Sequence, residues 1–190
     1  MIKGAQANDL WTELLNKKGS QWLPVLTGSM SPLIHAGDHV CVSRVTPELV
    51  HTGDIVAFRR GDNIITHRVL HKQRSPGGFS FNEKGDNTYS SGVFFAEDLI
   101  GRVVMSRRGA ETFSFASPFC RLVSFVLGVW FYGTTLLIST LRTSTKKLPR
   151  KIGNRLSRLL LGFSNVMIRL SHPTWSFHVD FSARHVESDT

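Results

Sequence analysis

Thr27-Gly28-Ser29-Met30-Ser31-Pro32, running on into Gly37-Asp38-His39-Val40-Cys41-Val42, joins a tight polar turn to an alternating apolar run. Gly28 permits backbone geometry that a side chain would obstruct, and Pro32 stiffens the exit from the turn. Met30 and Leu33 are spaced to anchor it in apolar surroundings. The pattern predicts a hydroxyl, that of Ser29, held on a rigid loop at the edge of a strand. A Gly-Ser-Met turn is ordinary by itself, and the residues downstream give it meaning.

The same punctuation recurs along the chain. Gly53-Asp54 launches Ile55-Val56-Ala57-Phe58, and Arg59-Arg60-Gly61-Asp62-Asn63 closes a hairpin onto Ile64–Leu70. Ser75-Pro76-Gly77-Gly78 forms another turn, after which Phe79 and Phe81 alternate. Asn82-Glu83-Lys84-Gly85-Asp86-Asn87 reads as a polar loop, and Leu99–Met105 as a last strand. Short strands between frequent turns predict a mainly β fold, a compact antiparallel domain over residues 22–115.

The formal charge of +9 over 190 residues is unevenly placed. Residues 1–110 carry 13 Lys and Arg against 10 Asp and Glu, whereas residues 111–190 carry 10 against 4. The basic excess therefore belongs to the tail. Residues 1–21 are expected to form a short amphipathic helix capped by Asn8 or Asp9, with Leu10, Trp11, Leu14 and Leu15 on one side. That segment has no apolar core of the kind a secretory signal needs.

After Pro118, residues 122–141 run for 20 positions without a charge, which predicts a single membrane span within 119–141. Residues 142–171 form a basic amphipathic segment suited to anionic lipid headgroups. They lack a recognised nucleic-acid module, so no nucleic-acid partner is expected. Residues 172–190 carry no assignment. Charge after Leu141 favours a cytoplasmic tail, but the side of the membrane occupied by the β domain stays open.

A serine hydroxyl needs a positioned base to act as a nucleophile. His67, at the end of Ile64-Ile65-Thr66, is the candidate base. A third group should orient the imidazole; Asp86 is the first choice and Asp98 the reserve. The backbone N–H of Ser29 and the hydroxyl of Thr27 are the local donors for an oxyanion, with Gly28 and Met30 beside them. His35/His39 and His67/His71 have metal-ligand spacing, but no cysteine or acidic cluster joins them, and Cys41 and Cys120 form no metal or disulfide motif. No metal site is expected.

Thr27–Pro32 with Gly37-Asp38-His39-Val40 resembles the nucleophile box of type I signal peptidases. Gly53–Phe58 resembles the next box, Thr66-His67-Arg68-Val69 the box of the general base, and Lys84-Gly85-Asp86-Asn87 with Ile100–Val104 the acidic box. The four stand in family order over residues 25–105. Histidine at position 67 resembles the endoplasmic-reticulum and archaeal type, where most bacterial members carry lysine.

The resemblance implies a serine endopeptidase, with Ser29, His67 and Asp86 in catalysis, an extended peptide as substrate and small residues before the scissile bond. It also implies an antiparallel β catalytic core that needs no metal or organic cofactor. The chain departs from the family in three places: polar residues 1–21 stand where an anchor is usual, Thr27 replaces a common serine, and Thr88–Gly92 lacks a further acid. Two other readings are a self-cleaving repressor-like regulator and a catalytically silent membrane adaptor. Only 28 residues precede Ser29, which is short for a DNA-binding module.

Overall fold

The computed structural model describes residues 17–144 and positions 162 and 166. Its strands are β1 (Ser20–Pro24), β2 (His39–Ser43), β3 (Ile55–Arg60), β4 (Asn63–Ser75), β5 (Gly78–Lys84), β6 (Ser91–Phe95), β7 (Leu99–Arg108) and β8 (Glu111–Ser114), followed by the helix α1 (Pro118–Ser144). They form one antiparallel sheet in the order β1-β2-β7-β3-β4-β5-β6, with β8 also on β7. The mainly β architecture read from the sequence is the one observed.

The Gly-Asp turns set where two strands begin. Gly37 and Gly53 have φ of 91° and 92°, a region that side chains disfavour. The aspartate after each closes its turn. Asp38 Oδ2 accepts the N–H of His35 at 2.8 Å, and Asp54 Oδ2 accepts that of His51 at 2.9 Å. A His-x-Gly-Asp turn is thus used twice, before β2 and before β3.

In β3, Ile55, Val56, Ala57 and Phe58 are all buried because both faces of the sheet are covered. Successive side chains of a strand point to opposite faces. Ile55 and Ala57 join Met30, Leu33 and Ile34 on one side, whereas Val56 and Phe58 join Val69, Phe81 and Phe94 on the other. Phe94 stacks on Phe58 and Phe81 with centroids 4.2 and 4.9 Å apart.

β5 runs further than the sequence indicated, through Asn82 and Glu83 to Lys84. Glu83 and Lys84 are buried despite their charges, and a buried charge is tolerated in a strand when it is paired and hydrogen-bonded.

α1 packs on the sheet through Cys120, Leu127 and Phe131, and Tyr132 stacks on His71 with centroids 5.0 Å apart. Burial of Leu127 and Phe131 contributes about 1.5–3 kcal/mol each. The helix approaches at backbone distance. A Cβ on Gly53 would lie 2.4 Å from Ser124 O, and one on Gly128 would lie 2.7 Å from Gly53 N. The opposite face exposes Leu122, Phe125, Val126, Val129 and Leu136. α1 is long and apolar enough to cross a membrane, and 22% of its Pro118–Leu137 stretch is buried. The expected N-terminal helix, except its last residues, lies outside the described residues, as do nearly all of the basic segment and the 172–190 tail.

Candidate active site

Ser29 sits in the turn between β1 and β2. Met30, Leu33 and Ile34 are buried beneath it, and the Ser31–Pro32 peptide is cis. Ser31 N–H donates to Gly28 O, and the N–H groups of Leu33 and Ile34 both donate to Met30 O, each at 3.1 Å. Met30 therefore pins the turn from below and leaves Ser29 partly exposed.

His67 lies on β4 opposite Val56 of β3. β5 pairs with β4 only from Arg68 onward. Among the described residues, Asn63–His67 thus pairs on one edge, with β3, and borders a cleft of about 590 Å³. Val25, Thr27, Ser29, Met30, Ile64 and His67 are among the residues that line it.

Gly85, one position past the Arg68↔Lys84 pair, lies against the backbone of Ser29 and the imidazole of His67. A Cβ there would be 2.6 Å from Ser29 O and 2.9 Å from His67 Nε2. Those two atoms are therefore no further apart than the two lengths laid end to end. The missing side chain lets the nucleophile loop and the base strand close on each other.

Asn87 adds a tether: its N–H donates to Ser29 O at 2.8 Å, and its side chain donates to Gly28 O at 3.4 Å. Among the described residues, Ser29 Oγ accepts a hydrogen bond from Thr27 Oγ1 at 3.4 Å. A χ1 rotation is the motion available to turn the hydroxyl toward the imidazole; catalytic contacts are commonly loose before substrate binds.

His67 Nδ1 is taken by Glu83, through Oε2. The other carboxylate oxygen, Oε1, accepts from Arg60 Nη2 at 2.9 Å. Burial pushes the Glu83 carboxyl up, but the hydrogen bond and charge of His67, joined by Arg60, outweigh it and hold the group below its ordinary value. Gly92 pairs with Glu83 across β5 and β6 and makes room for it: a Cβ there would come within 2.2 Å of Oε1.

Asp86, the sequence's first choice to orient His67, is occupied elsewhere. Its carboxylate takes Arg68 Nε and Nη2 at 2.8 and 2.7 Å, with both side chains fully buried. Arg68 Nη1 also donates to Gly53 O at 3.0 Å. Such a two-pronged pair fixes geometry strongly, so Asp86 clamps the Gly85–Asn87 turn onto β4. The reserve acid, Asp98, ends the short 3-10 turn Ala96–Asp98 before β7. Among the described residues it has no hydrogen bond to His67.

Glu83 escaped the sequence reading because Asn82–Asn87 looked like a loop. The signal that finds it is the period of two in Phe79-Phe81-Glu83, which puts the acid on the face of the two phenylalanines.

Lys84 points the other way, 4.4 Å from the Phe131 ring of α1, and donates to Gly85 O at 3.2 Å. Burial pushes its amine down to about 8, against the opposing pull of Asp86. Among the described residues, no group of three or more His, Cys, Asp or Glu is arranged to hold a metal ion.

Among curated proteins, the chain is similar to the signal peptidase complex catalytic subunit SEC11C of Homo sapiens, Canis lupus familiaris and Mus musculus. Each is 33% identical over 107 residues, covering 49% of this chain and 56% of the relative. The chain thus spans about half the length of these relatives. No family model matches it. The similarity supports a relationship to the signal peptidase family.

Proposed function

We propose that this protein is a serine endopeptidase of signal-peptidase type that cleaves an extended peptide or leader segment beside a membrane. The observation that carries the reading is the convergence at Gly85, where the backbone carbonyl of Ser29 and the Nε2 of His67 approach one point from different segments of the chain. Similarity to a subunit whose name describes the catalytic part of a signal peptidase complex supports it.

A peptide backbone can pair with the open edge of β4 at Asn63–Thr66, as strands added to a sheet edge do. That places a scissile carbonyl in the cleft shared by Ser29 and His67. His67 Nε2 takes the Ser29 Oγ proton as Oγ bonds to the carbonyl carbon. The Ser29 N–H and the Thr27 hydroxyl then stabilise the oxyanion. The imidazolium passes its proton to the departing amine as the C–N bond breaks, leaving an acyl ester on Ser29. Water attacks this ester and gives a proton to Nε2. The C–Oγ bond breaks, Oγ regains a proton, and the second product leaves as a carboxylic acid.

Membrane association is assigned to α1. Its outward apolar face supports that role, and so do the basic residues that follow from Arg142. Anionic lipids are the expected lipid partners.

Cleavage of a reporter peptide by the full chain in lipid-detergent micelles tests the reading. Ser29→Ala and His67→Ala should each lose about 10³-fold or more, and Ser29→Ala should melt as the unsubstituted protein does. Full activity in either variant overturns the assignment.

A further inference from the structure

We propose that Glu83, braced by Arg60, is the positioning residue that fixes the proton of His67 on Nδ1 and leaves Nε2 as the base. The inference rests on the reading of Ser29 and His67 as nucleophile and base. It replaces Asp86 in a role that the sequence had given it.

Three features make this a built arrangement. The Glu83 side chain is 2% exposed, and its two oxygens have separate partners, His67 Nδ1 and Arg60 Nη2. Arg60 is itself held: its guanidinium lies 5.1 Å from the Phe58 ring centroid, and Nη2 also donates to Val93 O at 3.4 Å. Gly92 then vacates the space that the carboxylate and guanidinium fill, since a Cβ there would lie 2.2 Å from Oε1 and 2.9 Å from Arg60 Nη2. The carboxylate is held between its two partners, in space that Gly92 leaves open.

A carboxylate only accepts hydrogen bonds. Opposite Glu83, the neutral imidazole must therefore carry its proton on Nδ1, and the lone pair falls on Nε2, the nitrogen beside Gly85 and Ser29. The imidazolium formed during proton transfer is stabilised by the same negative charge.

Arg60 supplies a sharper consequence. Arginine only donates, so in Glu83→Gln the amide oxygen turns to Arg60 and the amide NH2 turns to His67 Nδ1. The imidazole must then accept at Nδ1 and carry its proton on Nε2, the wrong tautomer for a base. Replacing Arg60 as well frees the amide to rotate and offer its oxygen to His67.

The test uses the full chain in detergent micelles, labelled with 15N-histidine, with His67 assigned by comparison with His67→Gln. The unsubstituted protein should show the Nδ1–H tautomer and Glu83→Gln the Nε2–H tautomer, with a loss of about 100-fold or more in kcat and little change in KM. Arg60→Met/Glu83→Gln should return toward the Nδ1–H form and recover about tenfold or more over Glu83→Gln alone. An unchanged tautomer in Glu83→Gln overturns the inference, whatever the activity. If the tautomer switches but the unsubstituted chain cleaves no peptide, the positioning role stands and the peptidase reading falls.

Discussion

Arg68 and Asp86 hold each other at the junction of β4 with the turn after β5, through hydrogen bonds of 2.8 and 2.7 Å between two fully buried side chains. The residue after Asp86 is tied to Ser29, and the residue before Arg68 is the candidate base. One ion pair therefore ties together the two segments that hold the proposed nucleophile and base, without touching either side chain.

Removal of one partner should be costly. Asp86→Ala leaves Arg68 buried without a counter-charge, and breaking a buried pair in this way costs about 3–5 kcal/mol. Urea denaturation should show a loss of that size, accompanied by a loss of cleavage. Unchanged stability in Asp86→Ala would contradict the clamp.

Gly85→Ala tests the approach itself. The new methyl would stand 2.6 Å from Ser29 O, 2.8 Å from Thr88 Cγ2 and 2.9 Å from His67 Nε2, closer than real contacts allow. Overpacking of this kind costs about 1–3 kcal/mol. Cleavage should fall by about 100-fold, since small misplacements at a reacting centre have effects of that order. A fully active Gly85→Ala enzyme would show that the two segments need not meet there.

Stability should depend on pH on two flanks. The Glu83 carboxyl is held below its ordinary value of 4.5, so its contribution is present above that pH and disappears as pH falls through the folded value. Lys84 is pushed down to about 8 from 10.5. Between those values the unfolded chain binds more protons at this site than the folded one, so stability from this group rises with pH across that window. Lys84→Met should lack that rise and be no less stable at pH 7. Denaturation midpoints of both proteins from pH 7 to 10 check the difference, and parallel profiles would refute it.

The sequence carried the strands wherever a Gly-Asp turn met an apolar run, as at Gly37-Asp38 and Gly53-Asp54, because those signals are local. It also singled out Ser29 and His67 as the candidate pair, because their neighbours form recognisable boxes. It hid Glu83, since a buried acid in a strand looks like a loop until its partners are known, and those partners, Arg60 and His67, sit 23 and 16 residues away. Asp86 looked available for the same reason: nothing local reveals that the adjacent strand supplies Arg68 to occupy it. The docking of α1 was equally silent, because Gly53 and Gly128 gain their meaning only when their backbones touch.

Trapping of the acyl intermediate tests the central claim most directly. The full chain is mixed with a peptide ester that acylates faster than it hydrolyses, quenched in acid and mapped by mass spectrometry. The account predicts one acyl group on Ser29, absent from Ser29→Ala and strongly reduced in His67→Ala. An adduct on another residue, or cleavage that persists in Ser29→Ala, would contradict it.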